Sequence, residues 1–170
     1  MVDLQTISVV IAATSVVIGV VNSILSSRRS EKTMQITLET RQAQLFMQLY
    51  TRINERELHD LISEILVRWE WSNLDEFLEK YGPENNFEAS LNFSMVGTYL
   101  NGMGILVREN LVDIRLVTRF GSFVKAFWEK IEPIIEDWRE LHDFPRMLSD
   151  TEYLYNEMMK YTEKHPELRI

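Results

Sequence analysis

The sequence predicts an all-α protein, an N-terminal transmembrane helix continuing into a cytoplasmic helical bundle of about five helices. Three observations predict it. From Ile7 to Leu25 the chain runs nineteen residues without a charge, which as a helix would extend roughly 28 Å, close to the hydrocarbon thickness of a bilayer. After the basic residues Arg28, Arg29 and Lys32 no glycine or proline occurs before Gly82 and Pro83, and Met34, Leu38, Leu45, Leu49 and Ile53 recur near a helical period. Finally, Val117, Phe120, Val124, Phe127, Ile131, Ile134, Trp138 and Leu141 follow one another at spacings of 3, 4, 3, 4, 3, 4 and 3, the mark of a core-facing bundle helix.

The first element is expected to be an uncleaved signal anchor. A cleaved signal needs its basic residues before the apolar stretch, whereas Arg28, Arg29 and Lys32 follow it. The same three residues form a membrane-surface collar, and by the positive-inside rule they set the C-terminal domain in the cytoplasm and the N-terminus outside the cell membrane. The division expected is a short external N-terminus over 1–5, a transmembrane helix over 6–26, a juxtamembrane helix over 27–53 and the bundle over 54–170. Within the span, Ser8, Ala12, Ser15, Gly19, Asn22 and Ser26 recur at 4, 3, 4, 3 and 4. Small side chains let helix backbones approach and Asn22 would seek a hydrogen bond, so this stripe is expected to be a helix contact inside the bilayer.

In the bundle, Asn54 with Glu57 has the spacing of a capping box, followed by the apolar face Leu58, Leu61, Ile62, Ile65, Leu66 and Trp69. Ser72 with Asp75 opens a short helix, and the run Gly82-Pro83-Glu84-Asn85-Asn86 ends it. A further helix is expected over about Phe87 to Arg108, and Asp113 caps the longest soluble segment. Val117, Phe120, Val124, Phe127, Ile131, Ile134 and Trp138 are its core residues, and Pro133 removes one backbone donor within it. Ser149-x-x-Glu152 opens the last helix, with Tyr153, Leu154, Met158 and Tyr161.

Composition narrows the function. Of the 18 Lys+Arg and 26 Asp+Glu, 3 and 2 precede residue 33, leaving 15 against 24 and a formal charge of −9 on the remainder. Such a surface repels nucleic acid. With no cysteine there is no disulfide, thiolate metal site or thiol nucleophile. His59 lies near Glu55, Asp60 and Glu64, but a bundle di-metal centre needs paired Glu-x-x-His motifs that this chain lacks. Glu129, Glu132 and Glu136 stand where Lys125, Lys130 and Arg139 can pair with them, the pattern of a solvated face. Gly102-x-Gly104 falls in a helical pattern with no strand before it and reads as close helix packing. Arg108 and Asp113 bracket a turn and could pair across it, and Trp69, Trp71, Trp128 and Trp138 read as core.

Between Tyr99 and Arg139 stand the block Gly102-Met-Gly-Ile-Leu-Val-Arg-Glu-Asn-Leu-Val-Asp-Ile114, then Gly121, Trp128, Pro133-Ile134-Ile135 and Arg139. With Arg41-Gln42-Ala43 and Glu152-Tyr153-Leu154-Tyr155, these residues resemble a prokaryotic family of short helical proteins, the domain of unknown function numbered forty-seven sixty. The resemblance implies a single-span, membrane-anchored helical protein and supplies no activity, cofactor or catalytic residue.

The function expected is therefore non-enzymatic, without cofactor, metal or evident small-molecule substrate. The chain is expected to be a membrane-anchored scaffold or accessory subunit that assembles with itself or with a larger membrane complex through its span and bundle. The alternative is a homo-oligomeric pore lined by the span.

Overall fold

In the computed structural model, the backbone is described for residues 4–168 and the side chains for Gly19 and residues 22–168. Among the described residues the elements are α1 (Leu4–Ile53), α2 (Arg56–Val67), α3 (Leu74–Tyr81), α4 (Phe87–Arg108), α5 (Ile114–Thr118), α6 (Ser122–Leu141) and α7 (Ser149–Lys164), then a 3₁₀ turn, Pro166–Leu168. The chain divides into two compact units, Met1–Arg41 and Gln42–Ile170.

The first unit carries a correction. Among the described residues no helix is long and apolar enough to cross a membrane, so the transmembrane helix over 6–26 is not upheld, nor the signal anchor or the cell-membrane location with its outside N-terminus. The physical reason is visible from Asn22 onward. Between Asn22 and Thr33 only Ile24 and Leu25 are apolar, among Ser23, Ser26, Ser27, Ser30 and the charges of Arg28, Arg29, Glu31 and Lys32. Of the stripe, Ser8, Ala12 and Ser15 lie outside the residues whose side chains are described.

The second unit is the bundle. Its core is drawn from every helix: Ile53 at the end of α1, Ile62 and Ile65 of α2, Phe77 of α3, Val96, Leu100 and Met103 of α4, Val117 of α5, Phe127 and Ile131 of α6, and Leu154 and Met158 of α7. Of the seven residues expected in the core, Val117, Val124, Phe127, Ile131, Ile134 and Trp138 are buried. Phe120 is half-buried, its ring edge-on to Phe46 and Tyr50 at 5.7 and 5.8 Å. The segment expected as one long helix from Asp113 is two. Gly121 interrupts it with its Cα facing α7, where a Cβ would come within 2.6 Å of Met158 Cε and 2.8 Å of Val117 O.

Several helix ends are fixed by residues other than those the sequence suggests. Asn54 closes α1, its Nδ2 donating to Tyr50 O at 2.6 Å, and α2 begins after Glu55 without a side-chain cap. Asn73 caps α3 by accepting from Glu76 N at 2.9 Å, while Ser72 N donates back to Glu76 Oε2 at 2.7 Å. The reciprocal box thus sits one residue later than Ser72 and Asp75 suggest. Hydrogen bonds from Lys80 and the Ser72 backbone hold the Glu76 carboxyl down to about 2. Asp113 does cap α5, accepting from Arg115 N at 2.9 Å.

Candidate functional site

Two surfaces stand out, one in each unit. On α1, every side chain from Asn22 to Arg41 is exposed, including Ile24, Leu25, Met34, Ile36 and Leu38, each at least 45 % accessible. The polar residues here serve only the helix itself: Gln35 Nε2 donates to Glu39 at 3.1 Å, and the Thr37 and Thr40 hydroxyls donate to the carbonyls of Thr33 and Ile36 at 2.8 Å. Among the described residues Glu31 and Arg41 have no ion-pair partner. Gly19 faces open space, and a Cβ added there would meet nothing within 4 Å. Asn22, Ser26, Arg28, Arg29 and Lys32 are exposed as well.

The second surface is an apolar groove of about 1110 Å³ in the bundle. Phe77, Phe93 and Trp138 form its floor, with ring centroids 5.0–5.2 Å apart. Ser94 and Gly97 of α4 line one wall, and Leu148, from the strap between α6 and α7, lines another. Leu148 is held at φ 54°, left-handed backbone that is costly for a bulky residue. Its Cδ2 reaches within 3.2 Å of where a Cβ on Gly97 would stand, so the missing side chain at Gly97 makes room for it.

The strap is tied at its C-terminal end. Arg139 Nε donates to Met147 O at 3.1 Å, and its two terminal nitrogens pair with Glu136 and Glu152 at 2.6 and 2.7 Å. Glu152 is thereby used by Arg139 and does not cap α7. The cap comes from α4: Asn101 Oδ1 accepts from Asp150 N at 3.0 Å and Thr151 N at 3.2 Å. Beside it Arg108 pairs with Asp150 at 2.7 Å and lies 4.1 Å over the Tyr153 ring. Arg108 therefore does not pair with Asp113, whose partner is Arg115 at 2.6 Å. Replacing Asn101 with Ala removes the acceptor for two backbone donors and should lower stability by about 1 kcal/mol. Urea unfolding of the full chain measures both this and Asn101→Asp, which keeps an acceptor oxygen and should retain more of the stability; equal losses would mean that the side chain acts by packing alone.

The remaining expected features take structural roles. Lys130 donates to Leu66 O at 3.0 Å and Trp69 O at 2.7 Å, closing the end of α2, and sits 5.1 Å from the Trp71 ring. Burial lowers its pKa. Tyr99 donates to Leu49 O at 2.7 Å, and burial pushes its phenol up to about 12. Trp69, Trp128 and Trp138 are buried and Trp71 is half-buried. Gly104 packs against Asp150 O, while Gly102 faces open space. His59 is exposed, and among the described residues no group of three or more His, Asp or Glu is placed to hold a metal ion. Thr151 Oγ1 is buried without a hydrogen-bond partner.

These features define an all-α protein that presents a bare helix and an apolar groove. The family model described as Domain of unknown function (DUF4760) matches residues 4–158, most of the chain, and the protein belongs to that family. No curated protein and no solved structure matches it.

Proposed function

We propose that this protein is a non-enzymatic assembly subunit, joining copies of itself or a larger complex through its first helix. The exposure of α1 from Asn22 to Arg41 carries the reading. An isolated helix gains little in water from its own hydrogen bonds and draws most of its stability from packing. A helix exposed on all sides, with Met34 and Leu38 one turn apart among its apolar residues, is built to be covered.

The test is the native mass of the full chain, in lysate and purified, against the 20.1 kDa of one copy. A particle heavier than one copy is expected, reduced in the double variant Met34→Glu with Leu38→Glu. The bundle itself should still fold, with an unchanged far-ultraviolet circular dichroism spectrum, because neither residue lies in its core. A wild-type particle of one copy under all conditions, or an unaltered particle in the double variant, would overturn the reading.

A further inference from the structure

We propose that the partner of α1 is a second copy of the same helix, packed antiparallel so that Met34 meets Leu38 of the second copy and Glu31 meets Arg41 of the second copy. This rests on the reading of α1 as an assembly surface and names its occupant. At coiled-coil spacings of 3, 4 and 3, Glu31, Met34, Leu38 and Arg41 fall on one face of the helix. The positions flanking that face, Ser30, Gln35, Thr37 and Gln42, are uncharged, so orientation is left to the face itself.

The charges decide the orientation. In a parallel pair each residue meets its own copy, setting Glu31 against Glu31 and Arg41 against Arg41, and like charges opposed at an interface are costly. In an antiparallel pair the first and fourth positions of the heptad, here Glu31 and Leu38 against Arg41 and Met34, face each other across the seam. That arrangement puts Met34 and Leu38 in two central apolar layers and an opposite-charge pair at each end. Neither Glu31 nor Arg41 is engaged within its own chain among the described residues, so both are available for this. From Glu31 to Arg41 the helix rises about 15 Å, a small contact of the reversible kind.

Two measurements on the full chain test this. In sedimentation equilibrium, Glu31→Arg alone or Arg41→Glu alone should weaken dimerisation by about tenfold or more. The double reversal Glu31→Arg with Arg41→Glu restores both pairs and should return it to near the wild-type value. Because the chain has no cysteine, Met34→Cys and Leu38→Cys can be introduced singly, and the two variants mixed and oxidised. The antiparallel register brings unlike positions within disulfide reach, so the mixed product should form in preference to either self-linked one.

Self-linked products with no rescue by the double reversal would overturn this register, even if the Met34→Glu, Leu38→Glu variant still reduces the particle mass and self-assembly stands. If the purified wild type and all variants stay at one copy, this inference falls; the assembly reading falls with it only if the wild-type particle in lysate is also of one copy.

Discussion

Phe127→Ala should lower the unfolding free energy of the bundle by about 3–5 kcal/mol, the range for emptying a phenylalanine site in a closed core. Phe127 has no accessible surface, and its ring lies 5.6 Å from that of Phe93, which in turn stacks on Trp138 at 5.2 Å. Truncation removes the transfer free energy of the ring and leaves a void among side chains from α4 and α6 that cannot all close on it. Such a loss is a large share of a typical domain's stability. Urea unfolding of the full chain, followed by tryptophan fluorescence, measures it, and a loss below about 1 kcal/mol would place this face of α6 outside the core.

Gly104→Ala is expected to be the most damaging single methyl group that can be added to α4. A Cβ at this position would lie 1.9 Å from Asp150 O and 2.4 Å from its carbonyl carbon, and backbone cannot rotate away as a flexible side chain can. The α4–α7 contact must open, at a cost of about 3 kcal/mol or more. Gly102→Ala supplies the control two residues away, because nothing lies within 4 Å of its added methyl. There the gain in helix propensity, about 1 kcal/mol, should appear as stabilisation. Comparable losses at both sites would show that helix packing at Gly104 is not the cause.

That pair of glycines also shows what the sequence can and cannot convey. Gly102 and Gly104 look alike on paper, and close helix packing is the expectation for both. Only Gly104 meets α7, because which face of a helix is covered depends on partners distant in the chain. Local periodicity is legible for the opposite reason: the apolar stripe of α6 is a property of twenty consecutive residues and needs no knowledge of what it packs against. The break between α5 and α6 is hidden because Gly121 preserves the apolar spacing on either side of it. The uncharged stretch Ile7–Leu25 suggests a span, yet the polar residues from Asn22 to Lys32 leave the described part of α1 without the apolar length to be one. The family is legible in the Gly102–Ile114 and Trp128–Arg139 blocks and is the one whose model matches. Of the two candidate surfaces, the exposed stretch of α1 shows in the sequence only as Met34 and Leu38 at helical spacing, with nothing to say that they stay uncovered. The groove floor joins α3, α4 and α6, a conjunction no local pattern records.

The cap that Asn101 provides for α7 has a kinetic consequence. The acceptor lies 49 positions before the donor it satisfies at Asp150, and the residue at the start of α7, Leu148, offers no side-chain bond of its own. The final helix thus lacks a local start signal and depends on a long loop closing before its first turn is complete. The residues of α4 hold their own turns, whereas the first turn of α7 gains its cap only once α4 is in place. The first turn of α7 is thereby tied to its contact with α4.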